Sequence, residues 1–185
     1  MMRSLVILAM LAAVAFLLMA TIQFPILPAA PYLKYDPSDA VALFTAISLG
    51  PAQGVAVVAL KDLLFLILRA GNIFGPTADF LAAATFAGVT GWVYGRLPRR
   101  DFAALGLACV AGVLARILVM IPANFLILFL EFGMPPAKVS SLLVPVIIPF
   151  NGVKGVINGA LTVALAGALT RRGLFPAMRE ARSKQ

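Results

Sequence analysis

Histidine is absent from this chain of 185 residues, and cysteine occurs only once, as Cys109. The lack of histidine excludes Ser-His-Asp triads, HExxH zinc sites and imidazole proton relays together. A single cysteine cannot form an intrachain disulfide, so the cysteine content does not indicate whether the protein lies in an oxidising or a reducing compartment. The sequence also lacks a GxxxxGKS or GxxxxGKT motif, which excludes ATP binding through a P-loop. No acidic pair or triad indicates catalysis, and we predict that the chain is not an enzyme and has no cofactor.

Charged residues are scarce as well, at 12% of the chain, whereas a soluble domain carries about 25%. Hydrophobic residues make up 62%, and the mean hydropathy is +1.03. The apolar runs are too long and uniform for an alternating β-barrel pattern, but a bilayer accepts them on helices. We therefore predict an all-α membrane protein with six transmembrane helices in one compact bundle. The bundle covers residues 1–175, and a basic cytoplasmic tail follows at residues 176–185.

The six predicted helices cover residues 5–23, 38–49, 51–69, 76–97, 102–131 and 149–170. The N-terminal stretch is similar to a signal peptide, but only its retention as a first helix gives a consistent topology. A proline-rich segment predicts an extended loop before the second helix, with Asp36 as N-cap and Asp39 completing a capping box. A second proline-containing loop is predicted at residues 132–148, and Pro122 is predicted to kink the fifth helix.

The basic residues are distributed unevenly between the two predicted sides of the membrane. Three lie at the predicted outer side: Lys34, Arg69 and Lys138. Nine lie at the other side: Arg3, Arg96, Arg99, Arg100, Arg171, Arg172, Arg179, Arg182 and Lys184. The positive-inside rule therefore predicts cytoplasmic termini, an external loop at residues 24–38 and a multi-pass protein of the cell membrane. These charges indicate contact with the anionic face of the lipid bilayer and not with nucleic acid.

Polar side chains inside the predicted spans form a candidate ligand site. Asn151, Lys154 and Asn158 share one face of the sixth helix, because their spacing is i, i+3 and i+7. Asn124 and Asp79 are predicted at a similar depth, under the external loop. Amides and an ammonium group suit a neutral, partly aromatic solute that forms hydrogen bonds. The same groups also suit hydrogen bonding between helices, which we favour for Asn158, so the residues alone leave both interpretations open.

Three other features have structural interpretations. Arg116 is predicted to pair with Asp62 or Asp79, because a deep charge needs a partner. Lys61 and Asp62 are neighbours in sequence and are predicted to point to different faces of their helix, so they do not simply neutralise each other. Ala9 and Ala13 form a small-xxx-small pair on the first helix, which serves either internal packing or contact with a partner subunit.

Three motifs in the right order resemble the riboflavin-specific S components (RibU type) of energy-coupling factor (ECF) transporters. They are LKYDPSD at 33–39, GPAQG at 50–54 and PFNGVKG at 149–155. The resemblance implies that riboflavin is the transported ligand. It implies that the flavin ring binds Asn124, Asn151 and Lys154, under a loop that includes Lys34, Tyr35 and Asp36.

The same resemblance implies partners. Ala9 and Ala13 match the docking surface for a transmembrane coupling subunit, and two ATPase subunits drive transport. One departure concerns ligand specificity: Asp79-Phe80 stands where the family often has Asn-Phe, and Asp79 is expected to pair with Lys154 or Arg116 or to adjust specificity. The alternatives are an S component for another vitamin, or a stand-alone transporter coupled to protons through Asp79 or Asp62.

Overall fold

The computed structural model describes residues 2–28, 30–69 and 71–173, and these residues fold mainly into helices. The helices are α1 (Met2–Thr21), α2 (Ser38–Leu49), α3 (Pro51–Leu68), α4 (Phe74–Arg96), α5 (Phe102–Phe132), α6 (Pro136–Leu142) and α7 (Ile148–Arg171). Strands β1 (Phe24–Pro25) and β2 (Lys34–Tyr35) pair antiparallel between α1 and α2. The predicted helical class is confirmed, while the predicted tail lies outside the described residues.

Glycine and proline set several helix boundaries, and Gly50-Pro51 does so at the predicted place, whereas α4 starts at Phe74, two residues before the predicted Pro76. Gly50 separates α2 from α3 with a φ of 121°, a conformation that glycine adopts without strain. Pro51 follows at the first position of α3, where its missing N–H costs no helical hydrogen bond. At the end of α5, Gly133 adopts the left-handed conformation, and the N–H of Met134 bonds back to the Leu128 carbonyl at 3.2 Å. This arrangement is a Schellman-type helix end.

The segment before α7 is largely helical, so the prediction of a loop at residues 132–148 is wrong. It contains α6 and a π-helical turn, Leu143–Ile147, which continues directly into α7. The N–H of Ile148 donates to the Leu143 carbonyl five residues back, and this wider turn contains Pro145. Pro136 and Pro149 each lie in the first turn of a helix, where proline is tolerated. These prolines interrupt the hydrophobic periodicity of the sequence, but the helical segment from Pro136 to Arg171 continues through them.

Three helical segments of the described chain are long and apolar enough to cross a membrane. They are Pro51–Leu68, Phe102–Phe132 and Pro136–Arg171, while Leu5–Thr21 and Ser38–Leu49 are shorter apolar helices. Large hydrophobic side chains point outward from these elements, among them Ile67, Leu118 and Val144 at 67% to 75% exposure. An apolar surface of this kind is favourable in lipid, so the chain is a helical membrane protein. The count of six spans stays a prediction.

The core is built where helices approach closely at small residues. A Cβ atom at Gly54 would lie 2.5 Å from the Cβ of Ala46, and one at Gly112 would lie 2.7 Å from the Phe86 ring. The first contact joins α3 to α2, and the second joins α5 to α4. Two of the apolar clusters in the core lie around Phe86 and around Leu128, and the buried residues also include polar side chains such as Asn124.

Candidate ligand-binding site

An uninterrupted chain of ion pairs connects the α1–α2 loop (residues 22–37) with three helices. Lys154 Nζ lies 2.7 Å from Asp36 Oδ2 and 2.7 Å from Asp79 Oδ1. The other oxygen of Asp79 pairs with Lys61 Nζ, which lies 2.9 Å from Asp62 Oδ1. We call these five residues the ion-pair chain. Of the two partners expected for Asp79, Lys154 is the one that it pairs with.

The contact between Lys61 and Asp62 corrects the prediction that they point apart. Their Cα–Cβ bonds do leave α3 in different directions, but the flexible four-carbon stem of lysine reaches around to its neighbour. Lys61 is fully buried and also lies 3.7 Å from the Met19 sulfur on α1. It therefore joins α1, α3 and α4 through one ammonium group.

Arg116 pairs with Asp39, at 2.6 Å from Nη1 to Oδ2. The prediction that it pairs with Asp62 or Asp79 is therefore wrong. Asp39 lies in the first turn of α2, where a negative charge is favoured by the helix dipole. The predicted capping box is consequently wrong, since Asp39 binds Arg116 through Oδ2 and its buried Oδ1 has no hydrogen-bond partner. Asp36, the predicted N-cap, does accept a hydrogen bond at Oδ1 from the backbone N–H of Ser38 at the start of α2, and it accepts another from the Ser38 hydroxyl.

The two predicted site asparagines differ in the hydrogen bonds that their side chains form with the protein. Asn151 Oδ1 accepts from Arg116 Nε at 3.0 Å, and its Nδ2 donates to the Ile147 carbonyl at 2.9 Å. Asn124 Nδ2 donates at 2.7 Å to the Met120 carbonyl, on its own helix. Asn151 therefore contributes to contact between helices, whereas the amide of Asn124 bonds only within α5 in the described contacts.

A cavity of about 120 Å³ brings most of the predicted ligand residues together. Asn124, Asn151, Lys154, Asp79 and Lys34 all line it. Arg116, Glu131 and Gly75 line it as well. The rest of the wall is apolar or aromatic: Tyr32, Leu33, Phe74, Ala78, Ala82, Met120, Ile127, Leu128 and Phe150. A mostly apolar wall with a few converging polar groups is typical of a small-molecule site.

A second, wider cavity of about 620 Å³ adjoins the first. Tyr32, Lys34, Asp79 and Glu131 line both, and Asp36 lines the wider one together with Gln23, Arg69 and Asn72. Asn72 donates to Glu131 at 3.1 Å, which links the α3–α4 connection to the end of α5. Glu131 and Tyr32 were not predicted as site residues, although Glu131 follows Asn124 by seven positions and hence lies on the same face of α5.

The α1–α2 loop is held against the bundle by its own side chains. Tyr35 is buried, its ring centroid lies 5.3 Å from that of Phe24, and it lines neither cavity. Asn158 Nδ2 donates to the Asp36 carbonyl at 3.1 Å, as expected for a structural residue. Burial raises the pKa of both Tyr32 and Tyr35, and the charge of Glu131 raises that of Tyr32 further. Both phenols are therefore uncharged at neutral pH and present hydroxyl donors.

The alanine pair on α1 points away from the bundle. Ala9 and Ala13 are exposed, whereas Ala12 and Ala15 on the same helix are buried at 2% and 0%. The exposed side of α1 continues with Met10, Val14 and Leu17. Of the two interpretations of this pair, internal packing is thus excluded for Ala9 and Ala13 within the described residues.

A helical membrane protein with a small, mostly apolar cavity that holds a few polar groups beneath an anchored loop has the architecture of a solute-binding membrane protein. The chain matches the family model described as ECF transporter, substrate-specific component, over residues 3–166. It belongs to this family of transport proteins and is not an enzyme.

Individual relatives agree with this assignment. The chain is 30% identical over 169 residues to the riboflavin transporter RibU of Staphylococcus aureus, covering 88% of each chain. It is 32% identical over 166 residues to the riboflavin transporter FmnP of Bacillus subtilis, covering 84% of this chain and 85% of the relative. A solved structure, described as the S component of a bacterial ECF transporter, superposes with a TM-score of 0.81 at 31% identity, over 91% of this chain and 96% of that one.

Proposed function

We propose that this chain captures riboflavin from outside the cell and is the substrate-specific subunit of an ATP-driven vitamin importer. The observation that carries the proposal is the convergence of Asn124, Asn151 and Lys154 on one cavity wall. The polar edge of a flavin ring presents carbonyl acceptors and an N–H donor, which amides and an ammonium group complement. The riboflavin transporters similar to this chain support the same ligand.

The ligand needs more room than the smaller cavity provides. A cavity of about 150 Å³ accommodates a molecule the size of benzene, so a cavity of about 120 Å³ cannot hold a three-ring flavin with its ribityl chain. We propose that the flavin occupies this cavity together with part of the adjoining wider one. Tyr32, Lys34 and Asp79 lie at the boundary of the two cavities and must adjust when the ligand enters.

Binding is tested by titrating the purified protein with riboflavin while flavin fluorescence is followed. Saturable quenching with one site per chain is expected. Lys154→Met should raise Kd, whereas the exposed Lys138→Met, which lines neither cavity, serves as the matched control. If riboflavin causes no quenching and another vitamin binds, the proposed ligand is wrong, but the family assignment still holds.

We further propose that α1 to α5 and the α6–α7 segment are the six spans of a multi-pass cell-membrane protein with cytoplasmic termini. Arg96, Arg99, Arg100 and Arg171 lie at one end of the bundle, and the Arg96 guanidinium stacks 4.0 Å from the Trp92 ring centroid. Arginine and tryptophan together are typical of a cytoplasmic membrane interface. At 12 residues, α2 extends about 18 Å, so its span includes part of the loop before it.

The topology is tested with cysteines at Lys138 and Arg99, both exposed in the structure. A membrane-impermeant maleimide applied to intact cells should label Lys138→Cys and not Arg99→Cys. The native Cys109 is buried and gives little background. Labelling of Arg99→Cys in intact cells, with protection of Lys138→Cys, would reverse the orientation.

We propose that transport requires a transmembrane coupling subunit, docked at Ala9 and Ala13, and two ATPase subunits. In vesicles that contain the whole complex, riboflavin uptake should depend on ATP inside. Uptake by this chain alone, driven by a proton gradient, would instead indicate a stand-alone secondary transporter.

A further inference from the structure

The ion-pair chain contains unequal numbers of acidic and basic groups. It has three carboxylates (Asp36, Asp79 and Asp62) and two ammonium groups (Lys154 and Lys61), which leave one negative charge in excess if all are ionised. The neighbouring Arg116–Asp39 pair is balanced and does not compensate for it. An uncompensated charge at membrane depth is costly, so a proton or another cation is needed to balance the ion-pair chain.

The contacts of each carboxylate identify where a proton would be held. Asp79 has both oxygens paired with lysines. Asp36 receives two hydrogen bonds from Ser38 at one oxygen and Lys154 at the other. Asp62 has a partner for Oδ1 only; its Oδ2 is buried without a hydrogen-bond partner, on a residue that is 4% exposed. The anionic form of Asp62 is thus the least stabilised of the three.

Other charged groups do not remove the excess. Asp62 lies in the middle of α3, far from the positive end of a helix dipole, and the described part of α1 beyond residue 4 contains no charged residue. Two further carboxylates lie on neighbouring helices, Asp79 on α4, which pairs with the same Lys61 ammonium as Asp62, and Asp39 on α2, and both disfavour a further anion. Lys34 and Arg69 line the wider cavity but are exposed, so water screens their charge.

We propose that Asp62 is a proton-binding site: at neutral pH it carries a proton on Oδ2, and the ion-pair chain is thereby electrically neutral. The proton comes from water, and its binding converts the carboxylate into a carboxylic acid with no other bond formed or broken. Oδ1 of the acid still accepts a hydrogen bond from Lys61. The inference does not depend on which ligand the protein binds.

The proposal makes Asp62 responsive to its neighbours. When Asp79 is replaced by asparagine, the excess negative charge disappears, and Asp62 is expected to release its proton and pair with Lys61 as an anion. A proton is thus gained or lost at Asp62 according to the charge at Asp79. Because Asp79 lines the ligand cavity, Asp62 can keep the cavity wall neutral when that charge changes.

Infrared difference spectroscopy on the purified full-length protein tests the proposal directly. The wild type should show the carbonyl stretch of a buried protonated carboxylic acid that Asp62→Asn removes. The same band should also be lost in Asp79→Asn, although Asp62 is then intact. A wild-type spectrum without a band sensitive to Asp62→Asn would overturn the proposal and indicate that another cation balances the charge.

Thermal unfolding gives an independent test. Asp62→Asn replaces a neutral acid by a neutral amide and should leave the unfolding temperature within about 2 °C of the wild type. Asp62→Asn combined with Asp79→Asn leaves an excess positive charge and should lower it by more than the two single changes added together. Additive effects, or a large loss in Asp62→Asn alone, would contradict a protonated Asp62.

Discussion

Asp36 and Lys154 lie 118 residues apart in sequence and form a buried ion pair of 2.7 Å between Oδ2 and Nζ. The pair fastens the α1–α2 loop to α7. Lys154 also lines the smaller cavity, so one ammonium group both holds the loop and faces the proposed ligand. Loop position and ligand affinity are therefore expected to depend on each other.

Asp36→Asn tests the loop anchor. Asparagine retains an oxygen for the Ser38 hydrogen bonds but removes the charge that pairs with Lys154, which keeps Asp79 as a partner. We expect the free energy of unfolding to fall by about 1–3 kcal/mol, as for a buried hydrogen bond to a charged group. Chemical unfolding in detergent measures it.

Asp101→Asn is the matched control for this change. Asp101 pairs with Arg99, whose side chain is 66% exposed, and asparagine still caps α5. The control should lose less than about 1 kcal/mol. Equal losses in the two variants would show that the Asp36 pair contributes no more than a surface pair.

Asn124→Leu and Asn151→Leu are expected to separate ligand binding from stability. Both should weaken riboflavin binding by about 1–3 kcal/mol, because a polar edge of the ligand is left unpaired. Asn151→Leu should in addition lower the unfolding temperature, because Arg116 loses its Nε acceptor. Asn124→Leu breaks only a bond within α5 and should have little effect on stability.

Fluorescence titration and thermal unfolding of the same preparations measure both quantities. Unchanged riboflavin affinity in both variants would exclude the proposed site. A large loss of stability in Asn124→Leu would indicate that Asn124 has a structural role as well.

The two faces of α1 offer a matched test of partner docking. Replacing the exposed Ala9 and Ala13 together by leucine should spare folding and riboflavin binding but abolish uptake, because larger side chains prevent close helix approach to a coupling subunit. Replacing the buried Ala12 and Ala15 by leucine should impair folding itself, since the core has no space for the added groups. Normal uptake with leucine at positions 9 and 13 would show that the coupling subunit docks at another surface.

Local sequence rules were sufficient for much of the fold. The predicted second helix, 38–49, coincides with α2, and Gly50-Pro51 divides α2 from α3 as expected. The rules failed at residues 132–148, where several prolines predicted a loop. Proline is tolerated in a first turn, and a π-helical turn contains Pro145, but sequence periodicity does not reveal either arrangement in advance.

The candidate site also has features that the sequence predicted and features that it did not. The spacing of Asn151 and Lys154 predicted a shared helix face, and both line the cavity with Asn124. The partners of the buried charges were less predictable, because the packing of α2 against the bundle decides that Arg116 meets Asp39. No sequence rule assigned Asp39 this role, and the roles of Lys34, Tyr35 and Asp36 in ligand binding stay predictions.

Gly112→Ala should be destabilising although alanine is the better helix former. An added Cβ would lie 2.2 Å from the Thr90 hydroxyl and 3.0 Å from the Phe86 carbonyl, so α5 must move away from α4. Such overpacking typically costs about 1–3 kcal/mol. Arg116 follows one turn later on α5, so the displacement should also weaken its pair with Asp39 and the binding of riboflavin.

Gly106→Ala on the same helix is the control for the Gly112 change. Nothing lies within 4 Å of a Cβ at Gly106, so only helix propensity changes, by up to about 1 kcal/mol in favour of alanine. The unfolding temperatures should therefore move in opposite directions, and only Gly112→Ala should raise the Kd for riboflavin. If both variants unfold like the wild type, the close packing of α5 against α4 at Gly112 does not contribute to stability.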